Sequence, residues 1–511
     1  MNAPDHVALL PAYVAGVAVI LVLLADVVLA RRDAVIAVTG LGAVATGVAA
    51  AWVGAGPTRA TFCGGQAPLD CSYVADPLAS VVAVLFAALT LGVLALSVPA
   101  LRAPGEPTAP RIPAGEYCFL LTCSMTGGVV LGNAGDLITL IVALETLTLP
   151  LYLLVGIRRR SVASAEGAIT FFVVSIVATA VTLLGAALLY AVTGALHLGL
   201  LADAFAWNAA LSDQPLATVA VTLVVAGLAF KVAAVPFHAW APAAYDGAPL
   251  PVAAYLSTAS KLGGVVALLY VVDALPPERT GPVLAVLAVL TMTVGNLVAL
   301  RQTRMVRLLA WSSVAQAGYI LAPLGAAAVA SGRTPDAMAL AVAATVAYTI
   351  FYVVMELGAF AAVVVLRPIG GDGGTIAEYR GLARRAPLVG AAFVLALVGL
   401  AGLPPGLAGL FAKVAVVRSL VGGGAGWLAV VVALNAVVGL AYYVRVAASL
   451  YAQPREIVAG EPAGYGPAEP VPAAPALSWP VVATLAVATL VAIVVGFAPQ
   501  LVLDAASLAQ P

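Results

Sequence analysis

The residues best suited to acid–base chemistry in this chain are three lysines in unusually apolar surroundings. Lys231, Lys261 and Lys413 are the only lysines among 511 residues, and the other twenty of the 23 basic residues are arginines. Each lysine has a long run of apolar or small residues on at least one side. The sequence therefore reserves lysine for apolar segments and uses arginine for solvated positive charge.

Lysine differs from arginine in a way that bears on mechanism. A lysine near the centre of a membrane helix costs about 2.5 to 3.5 kcal/mol, so it needs a partner or local water. Arginine stays charged in almost any protein environment, whereas a desolvated lysine can release and regain a proton near neutral pH. Glu145 and Glu356 also lie inside apolar runs. A lysine whose acid partner approaches and withdraws would be a proton switch, and the alternative is a fixed ion pair that holds helices together.

These residues belong to an all-α integral membrane protein. The chain is 63% hydrophobic and 9% charged, a balance that a water-soluble fold of this length could not cover with polar surface. Read in lengths of about 20 residues, the sequence predicts fourteen membrane helices. They cover residues 8–30, 34–54, 78–101, 116–134, 136–156, 164–192, 215–238, 250–272, 281–301, 303–328, 338–366, 388–420, 426–452 and 476–503.

The arginines predict the orientation of these helices. Sixteen of the twenty arginines fall in alternate connections, and the remaining four are Arg59, Arg279, Arg333 and Arg418. The positive-inside rule then puts both termini outside the cytoplasm. The N-terminal segment lacks the basic residues of a secretory signal, so we expect the first helix to be retained. Zero net charge gives no basic surface for nucleic acid.

The four cysteines divide into two pairs. Cys63 and Cys71 are eight residues apart across a Gly-Gly turn, in a connection that this orientation places outside the cytoplasm. They could form a disulfide or remain two free thiols in a loop. Cys118 and Cys123 lie in an apolar helix and are typical of small core residues. No cysteine spacing indicates a metal or iron–sulfur site.

An internal repeat relates the two lysine segments that contain helix-breaking prolines. AFKVAAV at 229–235 resembles FAKVAVV at 411–417, and LGNAGDL at 131–137 resembles VGNLVAL at 294–300. Pro236 follows Lys231, and Pro404 and Pro405 precede Lys413. Broken helices at matching positions of two repeats indicate an ion path, although a single proline could be only a packing kink.

The repeat predicts how the chain is organised. Five helices per repeat would give the two copies opposite orientations in the membrane. We expect one membrane domain, 1–511, with three N-terminal helices (1–110), inverted repeats of helices 4–8 (116–272) and 9–13 (281–452), and a last helix (476–503). Helices 7 and 12 would be the broken ones.

Longer motifs resemble one protein family over nearly the whole chain. FKVAAVPFHAWAPAAYDGAPLPVAAYLSTASKLG is similar to the seventh and eighth helices of the antiporter-like subunits of respiratory complex I and of multisubunit Na+/H+ antiporters. LGNAGDLITLIVALETLTLPLYLLVG resembles their fourth and fifth helices, and GNLVALRQTRMVRLLAWSSVAQAGY their ninth and tenth. In complex I, the longer distal subunit L usually has an aspartate after the corresponding lysine, whereas this chain has Val414. Subunit M has a glutamate in place of Lys413.

The resemblance implies roles for particular residues. Glu145 would pair with Lys231 and control its protonation, Lys261 would carry the proton across the centre, and Lys413 would connect to the opposite side. His238, just beyond the break, is either a relay or a histidine bonded within the connection.

Three residues depart from the family pattern. Thr170 replaces a usual lysine, Gln316 a frequent histidine, and Glu356 a common asparagine. Threonine and glutamine can still hold water molecules for proton transfer. The central balance of charge nevertheless differs from that of relatives.

The resemblance implies a proton-translocating subunit of complex I in a bacterial cell membrane, coupled to NADH oxidation and quinone reduction elsewhere. No connection is long enough for a soluble domain, so NADH, FMN, iron–sulfur clusters and quinone are expected in partner subunits and no cofactor or metal in this chain. Expected partners are subunit M, the small membrane subunits, the lipid bilayer, protons and water. The alternatives are a Na+/H+ antiporter subunit and a non-conducting scaffold.

Overall fold

The structure is a computed structural model that describes residues 4–65, 67–103, 111–369, 371–453 and 478–507. Some positions of the predicted connections and domain boundaries lie outside the described residues: Arg455 and residues 1–3, 104–110 and 476–477. The helices of the described residues are α1 Leu10–Leu24, α2 Arg32–Gly54, α3 Pro77–Arg102, α4 Ala114–Leu131, α5 Leu137–Val155, α6 Val162–Thr193, α7 Leu198–Trp207, α8 Ala209–Ser212, α9 Pro215–Lys231, α10 Trp240–Gly247, α11 Leu250–Tyr255, α12 Lys261–Ala274, α13 Pro277–Ala299, α14 Met305–Leu321, α15 Pro335–Leu366, α16 Leu382–Arg385, α17 Pro387–Ala401, α18 Leu407–Gly422, α19 Gly426–Tyr451, α20 Trp479–Phe497 and α21 Gln500–Ser507.

Among the described residues, eleven helical segments are long and apolar enough to cross a membrane. They are α2 to α6, α13, α15, α19, α20 and two segments extended by a π-helical turn, Leu10–Leu29 and Leu250–Ala274. The other three predicted segments contain shorter helices: α9, α14, and α17 with α18. The all-α membrane fold is therefore confirmed, whereas the count of fourteen, the domain boundaries and the inverted repeat stay predictions.

The segment Leu250–Ala274 forms the centre of the helix bundle. In its most apolar stretch of 18 residues, every residue is buried by the rest of the protein, whereas only 22% of the corresponding stretch of Leu10–Leu29 is buried. The central segment consists of α11, a π-helical turn at Leu256–Ser260, and α12, which begins at Lys261. A π-helical turn inserts one extra residue into a helix and shifts the residues that follow. Lys261 thus lies directly after a local irregularity in the most enclosed helix.

Aspartate and hydroxyl side chains cap several of the membrane helices. Asp136 accepts hydrogen bonds from the backbone N–H groups of Ile138 and Thr139 at the start of α5. Asp76 caps α3, and Thr334 caps α15. A cap satisfies backbone donors that have no partner inside the helix, and it fixes where the helix begins. In α5 this boundary sets the position of Glu145.

A β-hairpin that the sequence did not predict occupies the second connection. β1, Arg59–Cys63, pairs antiparallel with β2, Cys71–Ala75, and places Cys63 opposite Cys71. The two sulfur atoms are bonded, whereas Cys118 and Cys123 are free. Two five-residue strands are too short to stand out beside membrane helices, so the sequence indicated only a possible disulfide and not the hairpin.

Charged side chains link several connections at one end of the bundle. Arg304 contacts both Asp246 and Asp372, and Arg367 contacts Asp372 and Glu378. Partial burial favours a raised pKa for Glu378, but hydrogen bonds from Thr375 and the ion pair with Arg367 outweigh it and lower that pKa. The sequence assigned the two arginines to the same side of the membrane, and the structure brings them to the same end.

Gly264 allows the two central lysine segments to approach closely. A Cβ atom at this position would lie 2.9 Å from the backbone carbonyl carbon of Lys231 and 2.8 Å from a methyl group of Val232. Such contacts are shorter than real Cβ atoms make, and the backbone atom cannot move independently of its helix. Gly264 lies one turn after Lys261 in α12. Because it has no side chain, the end of α9 can pack closely against α12 at this point.

We expect Gly264→Ala to destabilise the protein by about 1–3 kcal/mol, because the added methyl group would push α9 away from α12. The matched control is Gly16→Ala in α1, where a Cβ atom meets nothing within 4 Å. Thermal unfolding of the purified variants measures the difference. Identical midpoints for the two variants would contradict the close approach.

The paired cysteines predict a simple labelling result. Alkylation of the denatured but unreduced protein should modify only Cys118 and Cys123, and alkylation after reduction should modify all four cysteines. Mass spectrometry of the intact chain counts the added groups. Four labels without reductant would show that the hairpin is not bridged.

Candidate functional site

Lys231 forms a buried ion pair with Glu145. The Nζ atom of Lys231, the last residue of α9, lies 2.7 Å from Oε1 of Glu145 on α5. The ammonium group also donates to the hydroxyls of Thr148 and Ser175, each at 3.2 Å. The lysine side chain is 5% exposed and the glutamate side chain 23% exposed. The acid is therefore the more accessible partner of the two.

The helix break beside Lys231 is stabilised by side chains from other segments. The Phe230 carbonyl accepts a hydrogen bond from the Trp240 indole at 3.1 Å, and the Val235 N–H donates to the Thr291 hydroxyl at 3.0 Å. These bonds satisfy backbone groups that an uninterrupted helix would pair internally. Pro236 follows, and a regular helix resumes at Trp240. The predicted break is thus present and leaves Lys231 at a helix end.

Lys413 lies at the second break but has a different kind of partner. Its Nζ donates to the carbonyl oxygens of Leu400 at 3.2 Å and Ala401 at 2.5 Å, the last two residues of α17. Gly402 ends this helix with a left-handed backbone, φ 79°, and Pro404 and Pro405 precede α18. Carbonyl groups at a helix C-terminus lack internal partners and carry partial negative charge. Lys413 therefore binds the open end of a helix rather than a carboxylate.

Lys261 lies between these two sites and is 1% exposed. Its ammonium group donates to the backbone carbonyl of Ser313 on α14. The Ser313 hydroxyl lies 2.7 Å from the Tyr352 hydroxyl, which donates to the Ser257 carbonyl at 2.8 Å. Ser257 belongs to the π-helical turn before Lys261. The central lysine is thus enclosed by hydroxyl and carbonyl groups from three segments.

A chain of hydrogen bonds leads from α14 to Lys413. The Ser312 hydroxyl lies 2.5 Å from the Tyr443 hydroxyl, which accepts from the Gln316 amide at 3.0 Å. The same amide nitrogen donates to the Leu400 carbonyl at 3.0 Å. Gln316 and Lys413 therefore share one carbonyl group. Ser312 precedes Ser313 in α14, and the Ser313 carbonyl accepts from Lys261, so one helix carries a partner of the central lysine and the start of this chain of hydrogen bonds.

The other predicted residues lie apart from these hydrogen bonds. Thr170 is half-buried, and its helix contacts the Lys231 pair through Ser175 and Thr179 instead. His238 lies beyond the break with its ring 5.1 Å from that of Trp311. No described residue bonds its Nδ1 atom. Glu356 is fully buried, and neither of its carboxyl oxygens has a hydrogen-bond partner among the described residues.

Sequence reasoning missed the tyrosines and serines that lie around Lys261 and Gln316. Tyr352, Tyr443, Ser312 and Ser313 are buried in apolar helices. A buried tyrosine hydroxyl nearly always finds a partner, so tyrosine in an apolar membrane segment was a usable signal. The identity of each partner was not accessible, because it depends on how distant helices meet. Among the described residues, no group of three or more His, Cys, Asp and Glu side chains could hold a metal ion.

Comparison with known proteins identifies the family of this chain. Residues 134–439 match the family described as NADH:quinone oxidoreductase/Mrp antiporter, TM. NADH-quinone oxidoreductase subunit N of Salinispora tropica is 66% identical, with 98% of both chains covered. Subunit N of Rubrobacter xylanophilus is 35% identical over 90% of this chain and 91% of its own.

Solved structures share the fold. A chain of respiratory complex I from Thermus thermophilus, a structure with bound Aureothin, superimposes with a TM-score of 0.77 at 30% identity, covering 97% of this chain and 98% of its own. A chain of the Mrp complex from Dietzia gives a TM-score of 0.78 at 24% identity, covering 99% of this chain and 96% of its own, a likeness of fold alone. The chain therefore belongs to the NADH:quinone oxidoreductase/Mrp antiporter family and, within it, to the NADH-quinone oxidoreductase subunit N proteins.

Proposed function

We propose that this chain conducts protons across the membrane through Glu145, Lys231, Lys261 and Lys413, within an assembled respiratory complex I. The observation that carries the proposal is the buried pair of Lys231 and Glu145 at the end of a broken helix. A fixed structural pair would not need a broken helix beside it, whereas a switch benefits from one. Backbone rotation at the break could withdraw Lys231 from its acid.

Proton transfer in this scheme uses the different partners of the three lysines. Approach of Glu145 favours the charged form of Lys231, and separation favours release of its proton. Lys261 would accept that proton, and the groups around Ser313 and Gln316 would carry it toward Lys413. The helix-end carbonyls stabilise a charged Lys413 without themselves titrating. Lys413 would then release the proton on the opposite side.

The remaining elements of the proposal concern the whole complex. Partner subunits would oxidise NADH, reduce quinone and hold the FMN and the iron–sulfur clusters. This chain would hold no redox centre. The neighbours would be subunit M and the small membrane subunits, in a bacterial cell membrane with both termini outside the cytoplasm. His238 would be a secondary relay, because its position beyond the break leaves Nδ1 without a partner among the residues that the structure describes. Thr170 and Gln316 would support water and hydrogen bonds rather than carry charge.

Two alternatives predict different measurements. A Na+/H+ antiporter subunit would move protons only against sodium, and the likeness to the Dietzia Mrp complex concerns the fold alone. A scaffold would leave pumping intact after loss of the lysines.

The first test is Lys231→Ala in an assembled complex reconstituted into vesicles. We expect fewer protons pumped per electron, because the lysine that exchanges protons with Glu145 is gone. The matched control is Thr126→Ala, since the Thr126 hydroxyl donates to the carbonyl of Thr122 in its own helix, away from the lysines. Unchanged stoichiometry in Lys231→Ala would remove the assigned role, and a sodium requirement would support the antiporter.

The second test concerns Gln316. Gln316→Leu removes the hydrogen bonds to Tyr443 and to the Leu400 carbonyl, so we expect a lower proton stoichiometry at normal assembly. Gln316→His, the residue frequent in the family at this position, should retain pumping because imidazole also donates and accepts protons. Equal pumping by the leucine and histidine variants would show that the proton does not pass this point.

A further inference from the structure

Glu356 is a buried acid that forms no side-chain hydrogen bond within the described part of the chain. It lies in α15 with an exposed fraction of 0%, and neither carboxyl oxygen is bonded by any residue that the structure describes. A buried carboxylate without hydrogen bonds is strongly unfavourable, so such groups take up a proton or bind mobile partners. The carboxyl group of Glu356 is therefore suited to gain and lose a proton.

Its surroundings contain the proton-exchanging groups of the central site. Lys261 interacts electrostatically with Glu356, and so do Tyr352, Tyr245 and Tyr443. Lys261 nevertheless forms no hydrogen bond with the acid, and its ammonium donates to the Ser313 carbonyl instead. The two groups therefore interact without forming a closed ion pair. An ammonium and a carboxyl group that are not directly bonded can exchange a proton through a bridging water molecule.

The position of α15 connects the central lysine with the distal one. This helix packs against the π-helical turn that precedes Lys261 and against α18, which carries Lys413. Tyr443, one of the groups that interact with Glu356, is hydrogen-bonded to Gln316. Gln316 in turn shares the Leu400 carbonyl with Lys413. Glu356 therefore lies where the surroundings of Lys261 meet the hydrogen bonds that lead to Lys413.

We propose that Glu356 is a proton-carrying residue between Lys261 and Lys413, an inference that rests on the proposed proton-conducting function. The proton leaves Nζ of Lys261, which becomes a neutral amine, and binds a carboxyl oxygen of Glu356, which becomes a neutral acid. The pair has zero net charge before and after the step, so no charge is created in the apolar interior. The carboxyl O–H then passes its proton through water toward Tyr443, Gln316 and Lys413.

The same position could instead serve only to balance the charge of Lys261. An acid with that role would keep one protonation state during turnover, and an exchange group would not. Infrared difference spectra separate the two roles, because a protonated carboxyl has a C=O stretching band that a carboxylate lacks. A band that appears during turnover and moves in Glu356→Asp identifies Glu356 as the exchanging group.

The experiment compares Glu356→Gln with Lys231→Ala in assembled complexes in vesicles. Glutamine keeps the size of the side chain but cannot exchange a proton. We expect the number of protons pumped per electron to fall in Glu356→Gln to the level of Lys231→Ala, with no further loss in the double variant. Glu166→Gln is the matched control, since Glu166 is an exposed acid on the membrane helix α6.

The outcomes distinguish the inference from the function on which it rests. Unchanged pumping in Glu356→Gln, with loss in Lys231→Ala, overturns the role of Glu356 and leaves the proton-conducting function. Unchanged pumping in both variants overturns both. Should Glu356→Gln fail to assemble, Glu356→Asp decides the question by infrared spectroscopy. Carboxyl bands identical to those of the unsubstituted protein would then overturn the inference.

Discussion

The stability of positive charge in an apolar interior is the constraint on which this structure depends. A lysine costs about 2.5 to 3.5 kcal/mol at the centre of a membrane helix unless it finds a partner. The protein meets this cost in three ways: a carboxylate for Lys231, a serine carbonyl for Lys261, and two helix-end carbonyls for Lys413. Most of the other features of the site follow from these three solutions.

The helix breaks are part of the same solution. A continuous helix uses its carbonyl groups internally and has none available for a cation. The end of α17 provides two carbonyl groups to Lys413, and the end of α9 leaves Lys231 free to reach α5 and α6. Trp240 and Thr291 satisfy the backbone groups at the first break, so the break is stable rather than partly unfolded. An interrupted helix is thereby a binding element.

Close packing and polar connection are combined at the centre of the bundle. The absence of a side chain at Gly264 brings the end of α9 against α12, so the segments of Lys231 and Lys261 are neighbours. Hydroxyl groups of tyrosine and serine then extend the polar interior toward Lys413 without adding formal charge. Neutral groups that both donate and accept hydrogen bonds can relay protons at a smaller desolvation cost than charged ones.

The sequence by itself determined the membrane class, the segregation of lysine, the positions of both helix breaks and the family. These properties depend on composition and on local chemistry, because apolar runs and prolines act on their own segment. The pairing of Glu145 with Lys231 was accessible through the family resemblance, although the two residues are 86 positions apart.

Only the tertiary structure decided that Lys413 binds the end of α17, that Gln316 shares its carbonyl group, and that Glu356 has no hydrogen bond from any described residue. It also showed that Cys63 and Cys71 form a disulfide across a β-hairpin. The physical reason is that a buried polar group is satisfied by whichever helix packs beside it. Helix packing is fixed by contacts between segments that are distant in sequence, such as Lys261 and Ser313, 52 residues apart.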